Sequence, residues 1–291
     1  MSHFYHRKSI WVMLVVSAFM LVLSACSQSG SSQSGKESKW DQIQKKGKIV
    51  VATSGTLYPT SYHDTSNGKD QLTGYEVEVV KEAFKRLDVK VEFKEMGYDG
   101  MLSAINSGQV DAAANDIDIT DDRKDKFAFS TPYKYSYGTA IVRKDDLSGI
   151  KTLKDLKGKK AAGAATTIYM DVARKYGAKE VIYDNATNEQ YLKDVANGRT
   201  DVILNDYYLQ TLALAAFPKL NITIHPDLKY MPNEQGFVMK KDNTELQKEL
   251  NRVLKDMKKD GTMKKISEKF FNHADVSKKI DADVEDVDIS K

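Results

Sequence analysis

The sequence predicts an α/β protein of two similar lobes, and three observations carry that reading. Nearly the same phrase occurs twice, ninety residues apart: Ser107-Gly108-Gln109-Val110-Asp111-Ala112-Ala113-Ala114-Asn115-Asp116 and Asn197-Gly198-Arg199-Thr200-Asp201-Val202-Ile203-Leu204-Asn205-Asp206. Each copy reads as a helix stopped by Gly, a polar step, a short buried strand, and Asn-Asp where the strand runs out. Short strand candidates alternate with helical stripes, the pattern of βαβ units and mainly parallel sheets flanked by helices. Two extended, Pro-containing stretches, Ser130 to Tyr137 and Lys229 to Asn233, look like a crossing between lobes and its return, giving two hinge strands side by side.

Taken in order, the chain opens with an address. Arg7 and Lys8 precede a fourteen-residue apolar run, Ile10 to Leu23, too short for an ordinary spanning helix and suited to a signal-peptide core. The run ends in Leu23-Ser24-Ala25-Cys26, which resembles the bacterial lipobox, so residues 1–25 are expected to be removed and Cys26 to be lipidated. Cys26 is the only cysteine, which leaves no disulfide framework and no cysteine-based metal site. Several acyl chains on one residue give durable anchoring, and the expected address is the extracellular face of a bacterial cell membrane. Residues 26–39, rich in Ser, Gly and Gln, have the composition of a flexible tether.

Removing Arg7 and Lys8 leaves 42 basic against 41 acidic residues, a balance that suggests no nucleic-acid partner. Strands are expected at Lys48 to Thr53, Lys90 to Phe93, Val110 to Ala114, Lys160 to Gly163, Val181 to Tyr183 and Val202 to Leu204. Val77, Val80, Phe84 and Leu87 form one helical stripe; Leu246, Leu250, Val253, Leu254 and Met257 form another, continued by Met263, Ile266 and Phe270. The predicted division is residues 40–134 with 231–272 as a discontinuous first lobe, 135–230 as the second, and 273–291 as an acidic C-terminal tail without an assigned role.

In open α/β sheets ligands bind at the carboxyl ends of the strands, which puts both Asn-Asp pairs at a cleft. Asn115, Asp116 and Asp118 lie in the densest polar cluster at a strand end, and Arg123 nearby carries a planar fork suited to a carboxylate. Thr166 and Thr167 precede a helical run from Ile168 to Tyr176, where a helix N-terminus offers amides and hydroxyls to an anion or takes ordinary caps. Asp206 begins another helix, which it can cap, or it can accept hydrogen bonds from an ammonium group. His63, His225 and His273 have no metal-ligand spacing, so neither a metal nor any other cofactor is expected.

The lipobox, Gly47 to Thr53, Leu72-Thr73-Gly74-Tyr75-Glu76-Val77, Tyr98-Asp99-Gly100-Met101, Asp118-Ile119-Thr120-Asp121-Asp122-Arg123 with Phe127-Ala128-Phe129-Ser130, and Gly198-Arg199-Thr200-Asp201 together resemble family 3 extracellular solute-binding proteins. These are polar amino-acid receptors of ABC importers, and the resemblance is nearest to Bacillus-type lipoproteins close to the cystine and cysteine importers. It implies a two-lobed, type II periplasmic-binding-protein-like fold, an amino-acid ligand, an ABC permease partner, a monomer, hinge closure and no catalysis. It implies that Arg123 grips the α-carboxylate with help from Thr167, that Asp206 takes the α-ammonium, and that Asn115, Asp116 and Asp118 line the pocket, with Tyr98 packing on the ligand side chain. Ser54 stands where an acidic residue is common in the family, and Asp118 replaces a usual small residue.

Asp116 and Asp118 then leave surplus negative charge in a site that closure dries, which favours a ligand with a second cationic group, dibasic or cystine-like. Two rivals share the scaffold. A dehydratase acting on a carboxylated ring would use Asp116, Asp118 or Asp206 as acid or base, but no histidine or nucleophile stands near them in the sequence. A ligand sensor would need a spanning helix or signalling domain, and the sequence offers neither.

Overall fold

Alternating burial along short strands builds a first lobe with a core on each side of one sheet. The protein, described by a computed structural model over residues 37–183 and 186–289, has one compact body from Lys39 onward. The expected leader, Cys26 and nearly all of the tether lie outside the described residues. Strand β1 (Lys48–Thr53) pairs in parallel with β5 (Lys90–Glu95) and β6 (Ala112–Ala113). Strand β14 (Val238–Lys240) inserts antiparallel between β6 and β7 (Phe127–Phe129), for the order β5-β1-β6-β14-β7. Val51, Ala112, Ala128 and Met239 face helices α1 (Lys39–Lys46), α2 (Tyr75–Arg86), α8 (Thr244–Lys259) and α9 (Thr262–Phe270). Their neighbours Ala52, Ala113, Phe127, Phe129 and Val238 face α3 (Tyr98–Asn106), as period-two alternation requires. A small antiparallel sheet of β2 (Thr56–Leu57), β3 (Ser61–Asp64) and β4 (Gln71–Thr73) leads into α2, and the one-turn α4 (Asp121–Lys124) precedes β7.

Strand β8 (Lys134–Arg143) carries the chain into the second lobe, where it pairs antiparallel with β11 (Ile203–Asp206), β12 (Ile222–Ile224) and the returning β13 (Tyr230–Gln235). Beside them, β9 (Lys160–Gly163) runs parallel to β10 (Lys179–Ile182) and reaches β11's strand through a parallel bridge from Ala161 to Val202. Helices α5 (Ile168–Lys175), α6 (Asn188–Ala196) and α7 (Tyr207–Ala216) complete the lobe. Gly138 is obligatory at the crossing: a Cβ there would stand 2.4 Å from the fully buried Tyr230 ring on β13.

The two-lobed α/β plan is therefore present, with mixed strand pairing in place of mainly parallel sheets. The chain leaves and re-enters the first lobe, so its outgoing and returning strands run in opposite directions and meet antiparallel. The expected strand at Val110 to Ala114 shrinks to Ala112–Ala113, and β2, β3, β4, β7 and β12 have no counterpart among the expected strands. The tail is tied down. Val276 joins the first lobe's core while its carbonyl accepts from Tyr135 N at 2.9 Å; Glu285 pairs with Lys229 and Met231; Val287 is buried in the second lobe.

Candidate ligand-binding cleft

The cleft follows from where the strands stop. A cavity lies at the carboxyl ends of β1, β6 and β11, lined from the first lobe by Ser54, Tyr98, Asn115, Asp116 and Asp118. From the second lobe come Gly163, Ala164, Thr167, Tyr169 and Asn205, and an apolar extension reaches Leu192, Ile203 and Ala213. Six residues expected from the sequence thus share this cavity: Ser54, Tyr98, Asn115, Asp116, Asp118 and Thr167. Arg123, Thr166 and Asp206 stand beside it and do not line it.

Each first-lobe group is held by its neighbours. Asn115 Oδ1 accepts from Ser54 N at 2.9 Å and Thr53 Oγ1 at 3.3 Å, tying the end of β6 to β1. Asp116 follows with φ of 55°, a left-handed conformation that Asp tolerates better than most residues. That turn aims its amide at both oxygens of the buried Glu76 carboxylate, 2.8 and 2.7 Å away. Glu76 also accepts from Tyr133 Oη. Asp118 Oδ1 accepts from Gln235 Nε2 at 2.8 Å, and Gln235 in turn donates to Asn233 Oδ1.

Arg123 sits where the lobes meet. Thr120 caps its short helix, and the guanidinium donates to Asp118 O at 2.9 Å in its own lobe and to Thr166 O at 2.7 Å in the other. Asp99, on α3, accepts from Ala165 N at 3.0 Å, Thr166 N at 2.8 Å and Thr166 Oγ1 at 2.7 Å. The amides and hydroxyl expected to face a ligand anion before α5 are thus held by a carboxylate of the opposite lobe. Thr167 caps α5, its Oγ1 accepting from Met170 N at 3.2 Å. The Arg123 and Asp99 bonds span the cleft, so the described conformation is closed.

Lys134 overturns the charge count made from sequence. Fully buried, its Nζ lies 2.6 Å from Asp206 Oδ2 and 2.8 Å from Asp116 Oδ1. The Asp206 contact is a hydrogen bond; Asp116 Oδ1 is close enough for an ion pair yet lacks hydrogen-bond geometry, leaving it able to take a donor. Asp206 realises both options open to it, capping α7 through Leu209 N at 2.9 Å and accepting from an ammonium, that of Lys134. The surplus negative charge is smaller by one than the sequence count implied.

Burial dominates the ionisation of this cluster. It pushes the Asp116 carboxyl up to about 6 against the pull of Lys134, and Asp118 up to about 7 against that of Arg123. Burial, with Asp116 adjacent, raises Glu76 to about 8. For Lys134, burial acts downward, and Asp116 with Asp206 overcomes it, holding the ammonium charged. Burial also raises Tyr98 to about 12, so its phenol stays a donor.

Sequence reasoning missed Glu76, Asp99, Lys134 and Gln235 as site residues. Two had a signal. Glu76 lies four residues before Val80, on a core-facing side of α2 where a carboxylate is out of place unless it has partners. Lys134 is a lone charge between Tyr133 and Tyr135 at the start of a strand whose next visible residues are aromatic and small. Asp99 and Gln235 carry no local mark, because their partners are far away in sequence.

Comparison with known proteins agrees with this geometry. A family profile described as bacterial extracellular solute-binding proteins, family 3, matches residues 49–273. The probable ABC transporter extracellular-binding protein YckB of Bacillus subtilis (strain 168) is 76% identical over 99% of this chain and 100% of its own. Its crystal structure matches with a TM-score of 0.70 at 83% identity, over 86% of this chain and 99% of that one. The L-cystine-binding protein TcyA of the same organism is 37% identical over 91% of this chain and 98% of its own. An amino acid ABC transporter substrate-binding protein, AbpA, from Streptococcus pneumoniae, solved with L-arginine, matches with a TM-score of 0.73 at 27% identity, over 82% of this chain and all of that one.

Proposed function

The chain belongs to the bacterial extracellular solute-binding proteins of family 3, and from that premise we propose that it captures a polar α-amino acid for an ABC importer by closing its two lobes on the ligand. The observation that carries this reading is a cavity at the strand ends of both lobes, with carboxylates on its first-lobe wall and Arg123 at the junction bonded to both lobes. Arg123 is the grip for the α-carboxylate: opening of its bond to Thr166 O turns the guanidinium fork toward the cleft. Asp116 and Asp118 face the α-ammonium, and Tyr98 packs on the side chain.

Within the polar amino acids, Lys134 favours a ligand without net positive charge. A diamino-diacid of the cystine type meets that condition better than lysine or arginine, and the similarity to TcyA points the same way. The protein is held at the outer face of the cell membrane by lipid on Cys26, acts as a monomer and delivers its ligand to a permease. Replacing Cys26 by Ala should release it into the medium.

A thermal-shift screen of the body from Lys39 onward against single amino acids, diamino acids and cystine tests the reading. One polar amino acid should raise the melting temperature, and Arg123→Ala should weaken that binding by about 2–5 kcal/mol, the range for truncating one side of a desolvated charged pair. No shift with any amino acid would overturn it.

A further inference from the structure

The least expected feature of the cleft is a charge that belongs to neither wall. Lys134 is the first residue of β8, the strand that crosses between lobes, and its side chain is fully buried. Asp116 lies three residues beyond the end of β6 in the first lobe, Asp206 ends β11 in the second, and the ammonium stands between them at 2.8 and 2.6 Å. Gln235 Oε1, on the returning strand β13, completes its surroundings at 3.5 Å. Asp116 lines the cavity, so the ammonium lies directly behind the cavity's acidic wall.

We propose that Lys134 is the specificity-determining charge of this cleft: a tethered ammonium that partly neutralises the Asp116 and Asp206 carboxylates and so disfavours a ligand that carries net positive charge. The inference rests on the amino-acid receptor reading and adds the net charge of the ligand accepted. The ionisable groups of the cluster are Glu76, Asp116, Asp118, Asp206, Lys134 and Arg123. Glu76 sits behind Asp116 as a hydrogen-bond acceptor, and Arg123 answers the ligand's own carboxylate. What remains to meet the ligand's ammonium groups is Asp118 together with whatever charge Lys134 leaves on the Asp116 and Asp206 pair. With the lysine in place that pair is one charge short of two free carboxylates. Without it, the side-chain cation of a dibasic ligand, which brings no second carboxylate of its own, finds both. The apolar extension toward Leu192, Ile203 and Ala213 holds no charge for such a group, so a cationic side chain has to seek the carboxylates.

Lys134→Met preserves stem length and removes the charge. Calorimetric titration of the protein with L-arginine, L-lysine, L-glutamine and L-cystine gives the ratio of dibasic to net-neutral dissociation constants. That ratio should fall about tenfold in Lys134→Met, the effect of one uncompensated charge in a partly dry site. Asp206→Asn makes the opposite change, one carboxylate fewer with the lysine retained, and should raise the ratio. The double variant, Lys134→Met with Asp206→Asn, should bring it back near the unmodified value. If Lys134→Met fails to fold, Asp206→Asn and the double variant still decide the matter. An unchanged ratio in folded variants that bind net-neutral amino acids overturns the role of Lys134. Absence of binding by the unmodified protein overturns the receptor reading instead.

Discussion

The two copies of the repeated phrase fold alike up to the strand end and then part company. In the first lobe Gly108 ends α3 with φ of 75°; in the second Gly198 ends α6 with φ of 71°. Asp111 donates its amide to Val50 O and accepts from Val50 N at 2.9 Å, while Asp201 donates to Lys160 O and accepts from Lys160 N at 2.9 Å. Each strand then lies between a parallel partner and an antiparallel one: β6 between β1 and β14, Val202 and β11 between β9 and β8. At the Asn-Asp pair the likeness stops. Asn115 ties back to β1 and Asp116 turns left-handed onto Glu76, whereas Asn205 accepts from the Asp206 amide and Asp206 caps a helix. A shared scaffold thus presents an irregular loop with an acidic cluster on one wall and helix ends on the other, and the ligand meets two different chemistries.

The sharpest way to break the comparison is at the one residue both strand ends share. Lys134→Ala leaves Asp116 and Asp206 buried without their cation, and should cost about 3–5 kcal/mol in denaturant unfolding, the range for removing one partner of a buried ion pair. The next effect separates the lobes by pH. Glu76, Asp116 and Asp118 all belong to the first lobe, and burial raises their folded pKa values to about 8, 6 and 7. Between their unfolded values near 4 and these folded values the native state binds more protons than the unfolded chain, so stability falls as pH rises from about 4 to 8. Calorimetry should find a higher melting temperature at pH 5 than at pH 8. Asp118→Asn should flatten the slope; a slope unchanged by that variant would place the titration elsewhere.

That same divergence marks how far the sequence could be read. The repeat, the helical stripes and the hinge stretches depend on local periodicity and on Gly and Pro, and they show in the chain directly. Arg123, Asp116 and Asp118 stood out because strand ends in α/β sheets collect ligands. Glu76, Asp99, Lys134 and Gln235 join the cleft only once partners as far as 117 residues away arrive, and their meaning lies in burial that no local pattern encodes: Lys134 is 72 positions from Asp206 and Gln235 is 117 from Asp118. The mixed pairing of the sheets escaped for the same reason, since it is fixed by where the chain re-enters the first lobe.

Smaller effects sharpen the likeness itself. Asp111→Ala removes a charged acceptor from the partly buried Val50 amide and breaks an ion pair with Lys39 at 2.7 Å, so it should cost about 1.5–3 kcal/mol. Asp201→Ala removes the equivalent bond from the exposed Lys160 amide together with a partly buried ion pair to Arg143 at 3.2 Å, and should cost a similar amount, about 1–3 kcal/mol. The smallest change tests equivalence most cleanly. Neither Gly108 nor Gly198 has an atom within 4 Å of where a Cβ would stand, so alanine at either position meets no clash and pays only for the left-handed backbone. Gly108→Ala and Gly198→Ala should therefore each destabilise by about 1 kcal/mol and match one another closely. Unequal losses would mean that the two helix ends do different work in holding their strands, and that the likeness of the lobes ends before the Asn-Asp pair.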